Sequence, residues 1–161
     1  MKFIKIGKIV NTHGIKGELR IISDFKYKDK VFVKDFNIYI GPDKIKEKIT
    51  SYRKHKQFDM ICLASYNNIN EVLKYKGLYV FIDKSDLKLE PNSYLNEDII
   101  GLDVIVLNNN IGKITDVIKN VKGELLVINN KILVPYYDVF VKKIDIDNNK
   151  IYLNYIDGLF D

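Results

Sequence analysis

With a single cysteine, Cys62, the chain can close no intrachain disulfide and build no cysteine-based zinc cluster. Cys62 falls in the apolar run 60–63, which reads as a buried strand and makes it an expected core side chain. Histidine is nearly as scarce: His13 and His55 are far apart in sequence, and neither has a Cys or His neighbour at metal-ligand spacing. No Walker-type loop, no G-x-G-x-x-G and no G-x-S-x-G is present. The expectation is therefore no catalytic residue, no metal and no cofactor. No apolar run approaches the roughly 20 residues that a membrane helix needs, and the start lacks a secretory apolar region and cleavage site. A cytoplasmic protein without membrane contact is expected.

What is abundant is lysine, and its distribution is uneven. Residues 1–90 carry 19 Lys plus Arg against 11 Asp plus Glu, whereas residues 91–161 carry 7 against 10. A basic half suits a phosphate backbone and a mildly acidic half suits a basic protein. The densest basic stretch is 52–56, with Arg53, Lys54 and Lys56, read as an RNA-facing patch. Lys44, Lys46 and Lys48 alternate with Ile45, Glu47 and Ile49, so a strand there places the three ammonium groups on one face. In 24–34, aromatics are interleaved with lysines. That pattern serves single-strand nucleic-acid binding or a Lys-guarded strand-and-loop edge with its apolar residues turned inward, and the edge is the favoured reading.

The organising stretch is 6–21, Ile-Gly-Lys-Ile-Val-Asn-Thr-His-Gly-Ile-Lys-Gly-Glu-Leu-Arg-Ile. Apolar residues on both sides bracket a turn in which Gly14 and Gly17 can take positive φ, with Thr12, His13, Lys16, Glu18 and Arg20 supplying polar chemistry around it. Strands are read at 36–40, 58–63 and 78–82, and one helix at 67–77 with an Asn N-cap, an Ile69, Val72 and Leu73 stripe, and Gly77 as its stop. Residues 83–93 are low in β-branched content and read as a linker. Beyond them come hairpins turning at 108–110, 129–130 and 147–150, where Asn supplies the left-handed conformation. Gly14-Ile15-Lys16-Gly17 matches the G-x-x-G of KH domains, but that loop joins helices and this one joins strands.

The run 7–20 resembles the amino-terminal signature of the RimM family, bacterial ribosome maturation factors that assist processing of 16S ribosomal RNA. The resemblance continues through the helix-Gly-strand passage. At 94–104 the chain is similar to the opening of a PRC barrel, the small β-barrel also found in the photosynthetic reaction-centre H subunit. It extends to the carboxy-terminal signature Pro135, Tyr136, Asp138, Phe140 and Val141 with Gly158 and Leu159. Many family members have two adjacent tyrosines at the head of the second barrel, tied to small-subunit binding. Here Tyr94 is followed by Leu95, which keeps apolar area and lacks the second hydroxyl.

The fold this implies is mainly β: two small antiparallel β-barrels, the N-terminal one (1–85) with a short helix and the C-terminal one (92–161) PRC-barrel-like, joined by a linker at 86–91. The implied function is non-enzymatic assembly of the small (30S) ribosomal subunit, its head in particular, by a monomer. The implied partners are small-subunit ribosomal protein nineteen, immature 30S particles and their 16S rRNA, with Tyr94 and Leu95 as the ribosomal-protein-binding pair. Three alternatives stay open on sequence alone: a generic translation-factor-like RNA-binding barrel, an enzyme centred on a His13–Glu18 acid-base pair, and a PRC-barrel adaptor at a membrane.

Overall fold

In the computed structural model, which describes residues 1–160, the chain divides into two units, Met1–Leu89 and Glu90–Asp161, with the final Asp161 outside the described residues. The division falls inside the segment read as a linker.

Six strands make the first unit: β1 (Phe3–His13), β2 (Glu18–Ile22), β3 (Asn37–Ile40), β4 (Ile45–His55), β5 (Phe58–Leu63) and β6 (Tyr79–Asp83). They close into an antiparallel barrel in the order β1-β2-β5-β4-β3-β6. Alternation sends Ile9, Leu19, Ile21, Ile38, Ile40, Ile49, Ile61 and Ile82 into one core, all fully buried. Bulges interrupt β1 between Lys5 and Gly7 and between Ile9 and Asn11, each shifting which residues face outward.

Several local expectations change. Residues 24–34 form no strand: they wind into a single helical turn, α1 (Lys28–Val31), that drops Val31 and Phe32 into the barrel. The helix read at 67–77 shrinks to α2 (Ile69–Val72) and a following 3-10 turn, Leu73–Tyr75. Asn68 caps it by accepting from the Asn70 amide at 2.8 Å. The buried stripe there is Val72 and Tyr75, and Leu73 lies exposed. Cys62 is only half-buried, because strand alternation turns it away from the core that its neighbours Ile61 and Leu63 enter.

The second unit holds α3 (Asn96–Ile99) and six strands: β7 (Asp103–Val106), β8 (Asn109–Asn120), β9 (Gly123–Ile128), β10 (Ile132–Pro135), β11 (Val141–Asp145) and β12 (Lys150–Leu153). Their hydrogen-bonded order is β10-β9-β8-β7-β12-β11, and the sheet curls around a core to which Val134 of β10 and Val141 and Ile144 of β11 all contribute. One pairing is not a hairpin: β12 lies parallel to β7. The first turn sits at Leu107–Asn108 (φ 50° and 66°), which leaves Asn109 and Asn110 in the strand, whereas Asn129–Asn130 (φ 53° and 58°) turns where read. Gly112 (φ 143°) has no room for a Cβ, because the Asn129 carboxamide occupies that space while accepting from the Lys113 amide and donating to the Ile111 carbonyl.

Candidate nucleic-acid interface

The signature turn is built to hold its polar residues at the barrel surface. Gly17 has φ 83°, and a Cβ there would meet the Asn68 carbonyl oxygen at 2.9 Å. Only glycine satisfies both the turn and that approach. The Ile69 amide donates to the Ile15 carbonyl at 2.9 Å, so the turn is pinned to the start of α2 while Gly14, Ile15 and Lys16 stand in solvent. Thr12, half-buried, leads into it, its amide donating to the Asn11 side chain.

Beside the turn, β1, β2, β5 and β4 present one outer wall. Register places Arg20 opposite Met60 and Met60 opposite Arg53, with His13 opposite Glu18 and His55 opposite Phe58. Arg53 grips Glu18 with both arms of its guanidinium, at 2.8 and 2.7 Å. Arg20 donates to His13 Nδ1 at 2.9 Å and lies over the Phe58 ring at 4.9 Å. Its Nε is buried with no hydrogen-bond partner. The His13 and His55 rings lie 6.1 Å apart. The wall thus gathers two guanidiniums and two imidazoles around one carboxylate.

Electrostatics follow from these contacts. The Arg53 hydrogen bonds hold the Glu18 carboxyl below its usual range, and Glu18 raises Arg53 in return. Desolvation, followed by the charges of Arg53 and Lys56, pushes His55 below the ordinary histidine value. His13 and Glu18 are cross-strand neighbours but not an acid-base pair, since Glu18 is committed to Arg53 and His13 Nδ1 to Arg20.

The trio Arg53, Lys54 and Lys56 is not one patch. Strand alternation turns Lys54 to the other face, where it stands 3.6 Å from Asp59. Asp59, 1% exposed, also takes Lys28 at 2.9 Å and the Tyr52 hydroxyl at 2.6 Å; burial, and then this hydrogen bond, push the Tyr52 phenol up to about 12. Lys56 sits in the β4–β5 turn with φ 56°. His55 was missed in sequence, and its only signal was its place two residues after Arg53, on the same strand face.

In the second unit Leu95 is 6% exposed, a correction to the expectation of a surface pair: it occupies the N-cap position of α3 and is buried. Tyr94 is half-buried, packs on the core and directs its hydroxyl to the Ile144 carbonyl at 3.5 Å. Of the carboxy-terminal signature, Pro135 ends β10, Tyr136, Phe140, Val141 and Leu159 pack on the core, and Gly158 takes φ 81°. Asp138 and Gly158 are exposed. Among the described residues no group of three or more His, Cys, Asp or Glu could hold a metal ion, and no helix is long and apolar enough to cross a membrane.

Fold and site define a mainly β protein of two units, the first bearing an outward guanidinium–imidazole cluster. Residues 4–87 match the RimM N-terminal domain and residues 96–159 the RimM PRC barrel domain. The chain belongs to the RimM family. Relatives named ribosome maturation factor RimM include those of Ligilactobacillus salivarius (38% identical, covering 99% of both chains) and Staphylococcus haemolyticus (36%, covering 98% of this chain and 99% of the relative). The protein of that name from Bacillus mycoides is 33% identical, covering 98% of both.

Proposed function

We propose that the protein is an assembly factor for the small ribosomal subunit, needed for maturation of its head and for efficient 16S rRNA processing, and that it works by binding without making or breaking bonds. The observation that carries this is similarity along nearly the whole chain to proteins named ribosome maturation factors. The guanidinium–imidazole wall adds support: its guanidinium and imidazole groups offer donors to phosphate oxygens, and it supplies no activated nucleophile. In this reading the first unit faces rRNA through Arg20, Arg53, His13 and His55, with Lys16 and Lys56 at its edges.

The acidic second unit faces a basic ribosomal protein, small-subunit protein nineteen, with Tyr94 at that contact. The factor acts as a cytoplasmic monomer, holding immature elements in a productive arrangement and then leaving. Depleting the protein and sedimenting ribosomal particles tests the proposal. Accumulated free subunits and unprocessed 16S precursor are expected, and a normal particle profile with fully processed 16S rRNA overturns it.

A further inference from the structure

On the barrel wall opposite the guanidinium–imidazole cluster, β1, β6, β3 and the start of β4 carry a second surface of different chemistry. Cross-strand register lines up Lys5, Phe81, Tyr39 and Lys46 in one row over four strands. The next row brings together Ile22, Lys8 and Tyr79. Residues three apart on a regular strand face opposite ways, but the bulge between Lys5 and Gly7 returns both Lys5 and Lys8 to the outer face. Their ammonium groups sit 4.2 and 5.5 Å from the centre of the Tyr79 ring, which is 44% exposed. Lys44 repeats the arrangement over Phe81 at 4.1 Å. Beside Tyr79 opens a groove of about 490 Å³, with Lys5, Lys8 and Ile22 on its lining and Asp24 its one carboxylate.

We infer that this face binds a short single-stranded stretch of RNA, separately from the guanidinium–imidazole wall. Tyr39 is buried under Phe3, which leaves the exposed Tyr79 ring and the half-buried Phe81 ring for bases to stack on; flanked by Lys5, Lys8, Lys44 and Lys46, they complement an unpaired polyanionic strand. In the free protein Lys5 and Lys8 cover the Tyr79 ring and Lys44 the Phe81 ring by cation–π attraction. When a strand arrives, the ammonium swings outward to a phosphate and the vacated ring takes a base. A regular duplex hides its base faces and has nothing to offer the rings. Stacking is tolerant of sequence, so unpaired segments of varied sequence are the expected ligand. The inference rests on the reading that the protein works on RNA, and adds a second contact site and the strandedness it selects.

The test uses the full chain and a labelled oligouridylate of about ten nucleotides, with a duplex of equal length as comparison, read by fluorescence anisotropy. Tighter binding of the single strand is expected. Tyr79→Ala should weaken it about tenfold, Tyr79→Phe should leave it unchanged, and Lys5→Gln with Lys8→Gln should shallow the log–log salt slope by about 1.4. Tyr79→Ala binding with unaltered affinity, or a preference for the duplex, overturns the inference. Wild-type chain that pellets with immature 30S particles but ignores the oligouridylate overturns the groove alone. Oligouridylate binding beside a normal particle profile in depleted cells overturns the assembly reading and leaves the groove standing.

Discussion

The two units solve the same problem, enclosing a small apolar core with short strands, in different ways. The first closes its hydrogen-bonded ladder completely, so no strand edge is left to pair with another chain. Among the described residues the buried charged ones, Glu47, Asp59 and Asp83, all lie in this unit. Glu47, on the inward face of β4, takes the Tyr75 hydroxyl as a donor; Tyr66 lies 3.5 Å from that hydroxyl and receives Lys74 at 3.1 Å. The second unit keeps two ladder ends, β10 and β11, and its core is assembled from apolar side chains. A closed unit can hold polar groups inside because the wall fixes their partners in place. An open curled sheet relies on apolar contact and on tight turns such as that at Asn129.

The sharpest way to break this comparison is to damage each core separately. Ile61→Ala in the first unit and Leu126→Ala in the second remove fully buried side chains and should each cost about 2–5 kcal/mol. Calorimetry is expected to show each substitution lowering one transition and sparing the other. A single transition that moves with either substitution would mean the units fold as one. Leu95→Ala belongs with these, since its buried side chain should make it a stability variant, checked by melting and particle pelleting on one preparation.

Next in size is Tyr75→Phe, which removes the donor that satisfies the buried Glu47 and should cost about 1–3 kcal/mol. Its effect belongs to the first unit alone, read as the loss of that unit's transition temperature. Glu18→Gln should change stability little, because the Arg53 side of the pair is about half exposed, at 48%, and solvent screens it. It frees a guanidinium, so RNA binding should tighten and the log–log salt slope steepen by about 0.7–0.9. Unchanged salt dependence would remove the wall from the RNA contact.

The smallest expected effect is a pH dependence. The folded-state pKa of His55 lies below its ordinary 6.5, so as pH falls through 6.5 the unfolded chain takes up a proton there before the folded chain does, and stability declines. Glu18, also depressed, adds a second decline as pH falls through its usual 4.5 and below. His55→Asn should flatten the first decline only, as read by denaturant midpoints between pH 7.5 and 5.5. A phosphate bound at the wall favours the charged imidazole, so RNA affinity should rise over the same interval.

Much of this was legible in the chain itself: the signature turn, the hairpin at Asn129–Asn130 and the charge contrast between halves. Alternation reads one strand at a time, and its failures have physical causes. It could not see that Arg53 and Lys54 part company across a strand, since their clustering in sequence says nothing of faces. The bulges in β1 reset the alternation and hid the pairing of Lys5 and Lys8 over Tyr79. Alternation set Glu47 on the face of Ile45 and Ile49, away from the lysines, but the group that satisfies its charge there, Tyr75, lies 28 residues away and is not visible locally. Leu95 was read as a surface residue by analogy with a tyrosine, and a leucine's preference for burial won.

The parallel pairing of β12 with β7 has a temporal consequence. A chain emerging from the ribosome has every strand of the first barrel once β6 ends at Asp83, so that unit can close while synthesis continues. The second unit has no such early moment: its central strand β7 waits for a neighbour made some 47 residues later, at Lys150–Leu153. Vectorial synthesis therefore delivers the first barrel as a finished object while the companion sheet still shows an unpaired strand, and the order of birth becomes the order of folding.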